Sequence, residues 1–276
     1  MKLSRTFLWR KLRERKILKT HKRVAGICGS LIAEDREHPV HFDLKPKKRF
    51  GTDRIIWQYW AQGYEDVPPV VRRCLESVEE YASGYTLVRL SDENLSEYLD
   101  LPDFVQRKRA VYSKAHFADL LRLMLLSVYG GIWMDATILL SGRIPEEYAH
   151  CDFFVFRRDP DEPDHRYWRN TYAYYFGWAK GFRVNMLNSF IVAKRGNRTV
   201  SDLCRLLLSW WLTHDSLPDY FFFQILFDVY GCGEDFPLVS DTLPHYLQQS
   251  ISDSAFSLMK KEDIPARFPI HKLSYK

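Results

Sequence analysis

The sequence predicts one α/β domain built on an open, mostly parallel sheet, with a basic helical arm in front of it. Two observations carry that expectation. Strand-forming and helical runs alternate through the first half of the body, which is how a parallel sheet begins. The positive charge is also unevenly placed: residues 1–50 hold fifteen Lys and Arg against five Asp and Glu. The chain's net charge of +5 therefore belongs to the arm, and the body is acidic. A length of 276 residues suffices for one sizeable core.

Residues 1–23 place Leu3, Phe7, Leu8 and Leu12 at helical spacing among Lys and Arg. That pattern predicts a short basic amphipathic helix resting on an anionic membrane, with a solvated arm as the plainer reading. Nucleic acid is not expected as a partner. Residues 24–50, ending in Lys45-Pro-Lys-Lys-Arg49, read as a linker, which leaves 51–276 as the domain.

The body opens on Arg54-Ile-Ile-Trp-Gln-Tyr-Trp60, rich in strand formers. Pro68-Pro69 then start a helix reaching about Tyr81. Residues 85–90 form a second strand, and Ser91 is expected to cap a short helix over 92–98. A strong helix follows over Lys114–Tyr129, stopped by Gly130-Gly131. Residues 132–134 make a short apolar strand with Asp135 at its end. Further strands are expected at 152–156 and 189–193, helices at 199–213 and 220–230, and a mobile loop over 157–170.

Composition narrows the class. Five isolated cysteines without a CxxC pair argue against a disulfide framework or a zinc ribbon, and for a reducing compartment. No run of about twenty uncharged apolar residues exists, because Arg122 interrupts the best candidate. No secretory signal is visible. The expected place is the cytoplasm, peripheral on the inner membrane. Sixteen Tyr, eighteen Phe and eight Trp suit stacking on bases or sugars, although most such rings fill cores.

The helix over Lys114–Tyr129 is apolar on nearly every side and so is expected to be buried. Yet His116, Asp119 and Arg122 recur every three residues as one polar stripe. Buried charges need a partner or a polar cavity. The stripe is therefore either an internal Asp119–Arg122 pair or the wall of a ligand cleft. Asp135, at the end of a buried strand, is placed to hold a divalent metal that neutralises a diphosphate, or to serve structure alone.

The segment Ala115-His-Phe-Ala-Asp-Leu-Leu-Arg-Leu, followed by Tyr129-Gly-Gly-Ile-Trp-Met-Asp-Ala-Thr137, resembles the capsular polysaccharide synthesis proteins. These are relatives of glycosyltransferases with a DxD sugar-binding region, which include yeast mannosyltransferases and clostridial glucosylating toxins. The resemblance runs from about Arg54 to the C-terminal end and omits the basic arm. It implies a GT-A-like fold and a divalent cofactor, Mn²⁺ or Mg²⁺.

On that pattern Trp60 takes the place of the aromatic that stacks on the donor base. Asp119 and Arg122, with His116 beside them, hold the ribose or donor sugar. Asp135 takes the first acidic position of DxD, whereas Thr137 stands where the second acid is usual and ligates through water. His271 from the tail is the expected third metal ligand, with Lys272, Ser274 and Lys276 folding over the diphosphate. Asp219 is a candidate to face the sugar, or a helix cap. The activity so implied is hexose transfer from a nucleotide sugar, UDP-linked by expectation, with retention, onto a capsular or surface glycan on a lipid. A metal-dependent phosphohydrolase and a non-catalytic sugar-nucleotide binder remain as alternatives.

Overall fold

The computed structural model describes residues 5–231 and 236–275. In chain order its elements are α1 (Arg5–Glu37), β1 (Ile55–Tyr59), α2 (Pro69–Tyr81), β2 (Thr86–Leu90), α3 (Asp103–Lys108) and α4 (Lys114–Tyr129). There follow β3 (Gly131–Met134), β4 (Ile138–Leu140), α5 (Glu146–Ala149), β5 (Phe153–Arg157), α6 (His165–Thr171) and β6 (Met186–Ala193). The last are α7 (Arg198–Thr213), α8 (Phe222–Tyr230), α9 (Tyr246–Ser252), α10 (Ile264–Arg267) and β7 (Ile270–Lys272).

Five strands form the central sheet in the order β2-β1-β3-β6-β5. Strand β1 lies parallel to β2 and β3, and β6 runs against both of its neighbours. All strands but β6 therefore share one direction, as expected of a mostly parallel sheet. Every residue of β1 is buried, the mark of a central strand covered on both faces. Helix α4 packs on β1, β3 and β6, and α7 packs on α4. A second, two-stranded sheet pairs β4 with β7, setting Ile138 opposite Lys272 and Leu139 opposite His271.

The turn between α4 and β3 can be made only by glycine. Gly130 and Gly131 have φ of +72° and +98°. A Cβ on Gly131 would stand 2.5 Å from the Ile55 carbonyl, and one on Gly130 2.5 Å from the Arg195 amide. Their absence lets β3 lie against β1 directly after the helix ends. Ser113 caps that helix, its hydroxyl accepting from the His116 amide at 3.2 Å.

Three expectations are corrected. Helix α1 does not stop near residue 23 but continues to Glu37, so the first part of the expected linker is helical. Ile17, His21, Val24, Cys28, Ile32 and Asp35 are buried, at spacings of three and four, which is one helical stripe against α7 and α8. The segment 92–98 holds only a single 3₁₀ turn, Leu95–Glu97, and the Ser91 hydroxyl serves the Glu93 amide instead. The stretch 157–170 contains the start of α6, and Glu162 within it is buried, accepting from the Ser240 and Thr242 hydroxyls.

Cys28, Cys74, Cys151 and Cys204 are free thiols, and Cys232 lies outside the described residues. No helix among the described residues is long and apolar enough to cross a membrane.

Candidate functional site

A cleft of about 480 Å³ opens at the carboxyl ends of β1 and β3, where open α/β sheets bind ligands. Helix α4 supplies one wall. Asp119 and Arg122 are both buried and joined by a 2.7 Å hydrogen bond from Arg122 Nη1 to Asp119 Oδ1. Asn188 of β6 donates to the same oxygen at 2.8 Å. The internal pair and the cleft wall are thus one arrangement, since both residues line the cavity. Burial pushes the Asp119 carboxyl up to about 6, against the pull of Arg122 and Asn188. The Arg122 guanidinium rests on the Trp133 ring at 5.1 Å, and its Nε is buried without a partner.

Asp135 follows β3 at the floor. Trp133 Nε1 donates to its Oδ1 at 2.8 Å, and Arg122 Nη2 lies 3.4 Å from the same atom. Lys272 of β7 reaches Oδ2 at 3.4 Å and also meets the Thr137 hydroxyl. Burial works to raise this carboxyl. Lys272 and Arg122, with the Trp133 bond, outweigh it and hold the group below the usual range.

His271 is not at this floor. Successive side chains of a strand face opposite ways, so β7 can turn only one of His271 and Lys272 toward the cleft, and it turns Lys272. His271 is fully buried on the other face, its Nε2 2.9 Å from the Ser141 hydroxyl, and burial pushes it down to about 4. Its expected role as a metal ligand is corrected accordingly. Among the described residues, no group of three His, Cys, Asp or Glu side chains is placed to hold a metal. Asp135 and Thr137 remain, and Lys272 already engages both. A divalent cation here would have Asp135 as its one protein carboxylate and would draw its other ligands from water and phosphate oxygens.

The other expected residues divide. Trp60 lines the cleft, with the Tyr275 ring set edge-on to it at 5.3 Å. His116 is not among the lining residues; its ring leans on Tyr220, which is. Asp219 does not line the cleft either. Its carboxylate accepts from the Phe221 amide at 2.8 Å and so shapes the turn before α8, rather than capping the helix itself. The Ser274 amide donates to Gln248 Oε1, and Lys276 lies outside the described residues.

The model of the family described as capsular polysaccharide synthesis protein matches residues 9–276. The chain belongs to the capsular polysaccharide synthesis protein family. It is similar to the O-glycosyltransferase braB of Annulohypoxylon truncatum, 29% identical over 181 residues, which cover 61% of this chain and 40% of that protein. It is also similar to the O-glycosyltransferase PaGT of Phomopsis amygdali, 29% identical over 110 residues, or 36% and 27% of the two chains. The chain thus spans less than half the length of these curated relatives. Among solved structures it is similar to the PaToxG glycosyltransferase, with a TM-score of 0.39 and 14% identity over 78% of this chain and 79% of that one.

This capsular-family chain also has cleft residues that its sequence did not disclose. Tyr175, Asn188, Gln224 and His245 all line the cavity. The Tyr175 hydroxyl and Gln224 Oε1 are buried without partners. His245 is held neutral, burial pushing it down to about 4, and its Nδ1 lies 3.0 Å from the Asp241 carbonyl. A carbonyl only accepts, so Nδ1 carries the proton and Nε2 is left as an acceptor. The one available signal was polarity inside apolar runs: Asn188 in Met186–Ala193 and Gln224 in Phe222–Tyr230.

Proposed function

We propose that the chain is a glycosyltransferase that moves a hexose from a nucleotide sugar, a UDP-sugar first among them, to a lipid-linked surface glycan. One observation carries this reading. Arg122 Nε, the Tyr175 hydroxyl and Gln224 Oε1 are buried, unpartnered and gathered in one cleft beside Lys272. Unpaired buried polar atoms are costly, and a hydroxyl-rich, diphosphate-bearing ligand would satisfy donors and acceptors together.

In this reading Trp60 and Tyr275 receive the base, and Asp119 holds a ribose or sugar hydroxyl. Arg122 and Lys272 meet the diphosphate. They thereby supply positive charge where Mn²⁺ or Mg²⁺ was expected to supply it. Charge held ready where the leaving group gains its own is the principal catalytic device of such a site.

Asp119 and Asp135 are the only carboxylates lining the cleft among the described residues, and each is engaged by cations. Neither is free to attack C1 of the sugar. In this reading retention comes from attack on the face the leaving group departs from. The acceptor oxygen bonds to C1, the bond from C1 to the diphosphate oxygen breaks, and the acceptor proton passes to the departing diphosphate.

The outward face of α1 supports a place at the inner face of an anionic membrane in the cytoplasm. Leu8, Trp9 and Leu12 are each more than half exposed, and Arg15, Lys16, Lys19 and Lys22 continue the exposed surface. Leu3 and the Phe7 side chain lie outside the described residues. Calorimetric titration with a panel of nucleotide sugars, followed by product release with a glycan acceptor, tests the reading. A panel in which no nucleotide sugar binds would sink it.

A further inference from the structure

A second concavity, of about 230 Å³, lies between the start of α1 and α6 and shares no lining residue with the cleft. Arg10, Lys11, Arg13, Arg166 and Arg169 line it, and Glu14 is the one carboxylate among them. Its apolar floor is Ile17, Phe176 and Phe182, all buried. Among the described residues, no carboxylate pairs with Arg10, Arg166 or Arg169. Like charges gathered from two separate helices repel one another unless an anion lies between them.

We propose that this groove binds the phosphate or diphosphate group of a membrane lipid. Guanidinium forks match phosphate oxygens in pairs, and the apolar floor suits the first carbons of an ester. Trp9 places the groove at a lipid boundary. It is 58% exposed, and the Arg13 guanidinium lies 4.7 Å from its ring centroid; amphipathic rings of this kind settle at headgroup level. The groove also adjoins the cleft through the chain, since Phe176 and Gly177 line the groove and Tyr175 before them lines the cleft. A lipid diphosphate held here is therefore the anchor of the acceptor. That last assignment rests on the transferase reading, but the binding does not.

Sedimentation of the full chain with phosphatidylcholine vesicles, with and without phosphatidic acid, tests the proposal. Arg166 and Arg169 are exposed, so the double variant Arg166→Ser/Arg169→Ser leaves the core intact. The wild type should sediment only with phosphatidic acid and be displaced by inorganic pyrophosphate at matched ionic strength. The double variant should bind about thirtyfold more weakly, the effect of two basic side chains at an anionic surface. Lys19→Ser/Lys22→Ser removes the same charge from the outward face and should stay displaceable by pyrophosphate.

Vesicle binding by the groove variant equal to wild type, or no displacement by pyrophosphate, overturns the proposal. So does pyrophosphate binding without any attachment to phosphatidic acid, which would mark a free-phosphate site. Nucleotide binding measured on the same proteins keeps the two readings apart. Its absence throughout strikes the transferase and leaves the groove standing.

Discussion

Lys272 Nζ and Asp135 Oδ2 lie 3.4 Å apart across the floor of the cleft, and the same ammonium meets the Thr137 hydroxyl. The two side chains lie 137 residues apart in sequence and meet because β7 pairs with β4, just after Asp135. Strand β7 therefore delivers an ammonium group to this floor.

Lys272→Ala should lower kcat/KM by roughly 10²–10³, the usual cost of removing one preorganised charge from a developing anion. Turnover of the wild type should persist in excess EDTA. Activity lost to EDTA and restored by Mn²⁺ would show that a metal, not Lys272, neutralises the diphosphate. Asp135→Ala should also be severe, because it releases both Lys272 and Arg122 from their positions.

Trp60→Ala should raise the donor KM with little change in kcat, since stacking is made equally in the ground and transition states. The loss expected is about 1–3 kcal/mol. A drop in thermal stability with donor affinity unchanged would make Trp60 a packing residue only.

The Asp119 carboxyl, raised to about 6 by burial, gives a pH dependence. As pH falls through about 6 the group takes up a proton and ceases to anchor Arg122, so donor KM should rise. The stability effect has the opposite sense. A carboxyl whose folded pKa lies above its unfolded value stabilises the fold below the unfolded pKa. That contribution is lost as pH rises through the folded pKa. Asp119→Asn should flatten both profiles, and a KM step that survives in this variant would assign the titration elsewhere.

Asp35 of α1 holds Arg205 of α7 with both oxygens, at 2.8 and 2.7 Å, and its carboxylate is buried. Asp35→Ala should cost about 1–3 kcal/mol, read as a fall in the urea midpoint. An unchanged midpoint would mean that α1 is an appended arm rather than part of the core.

Much of this structure was legible in the sequence. The helix Lys114–Tyr129 showed itself as an apolar run stopped by a glycine pair, local signals that need no tertiary context, and its limits coincide with α4. Of the polar stripe on it, Asp119 and Arg122 pair and line the cleft, whereas His116 does not line it. The tail did not read. Ile270–Lys272 is too short to show a period, and its pairing partner lies about 130 residues away, so the place beside Asp135 was given to His271 and not to Lys272. The stripe from Ile17 to Asp35 was present but diluted by His21, two glycines and an acid, while the charge around it suggested a solvated arm. Tyr175 and His245 sit in irregular segments, where no periodicity says which way a side chain turns.

Gly130 and Gly131 leave no room for any side chain between α4, β1 and the segment after β6. They thereby fix the spacing between the helix bearing Arg122 and the strand end bearing Asp135. That half of the cleft is a ruler with a single setting. The opposite wall, from Tyr175, Tyr220 and His245, is built on turns that carry no such constraint. In the proposed transferase, sugar preference has room to drift in those turns, while the spacing between Arg122, proposed to meet the diphosphate, and Asp135 stays fixed.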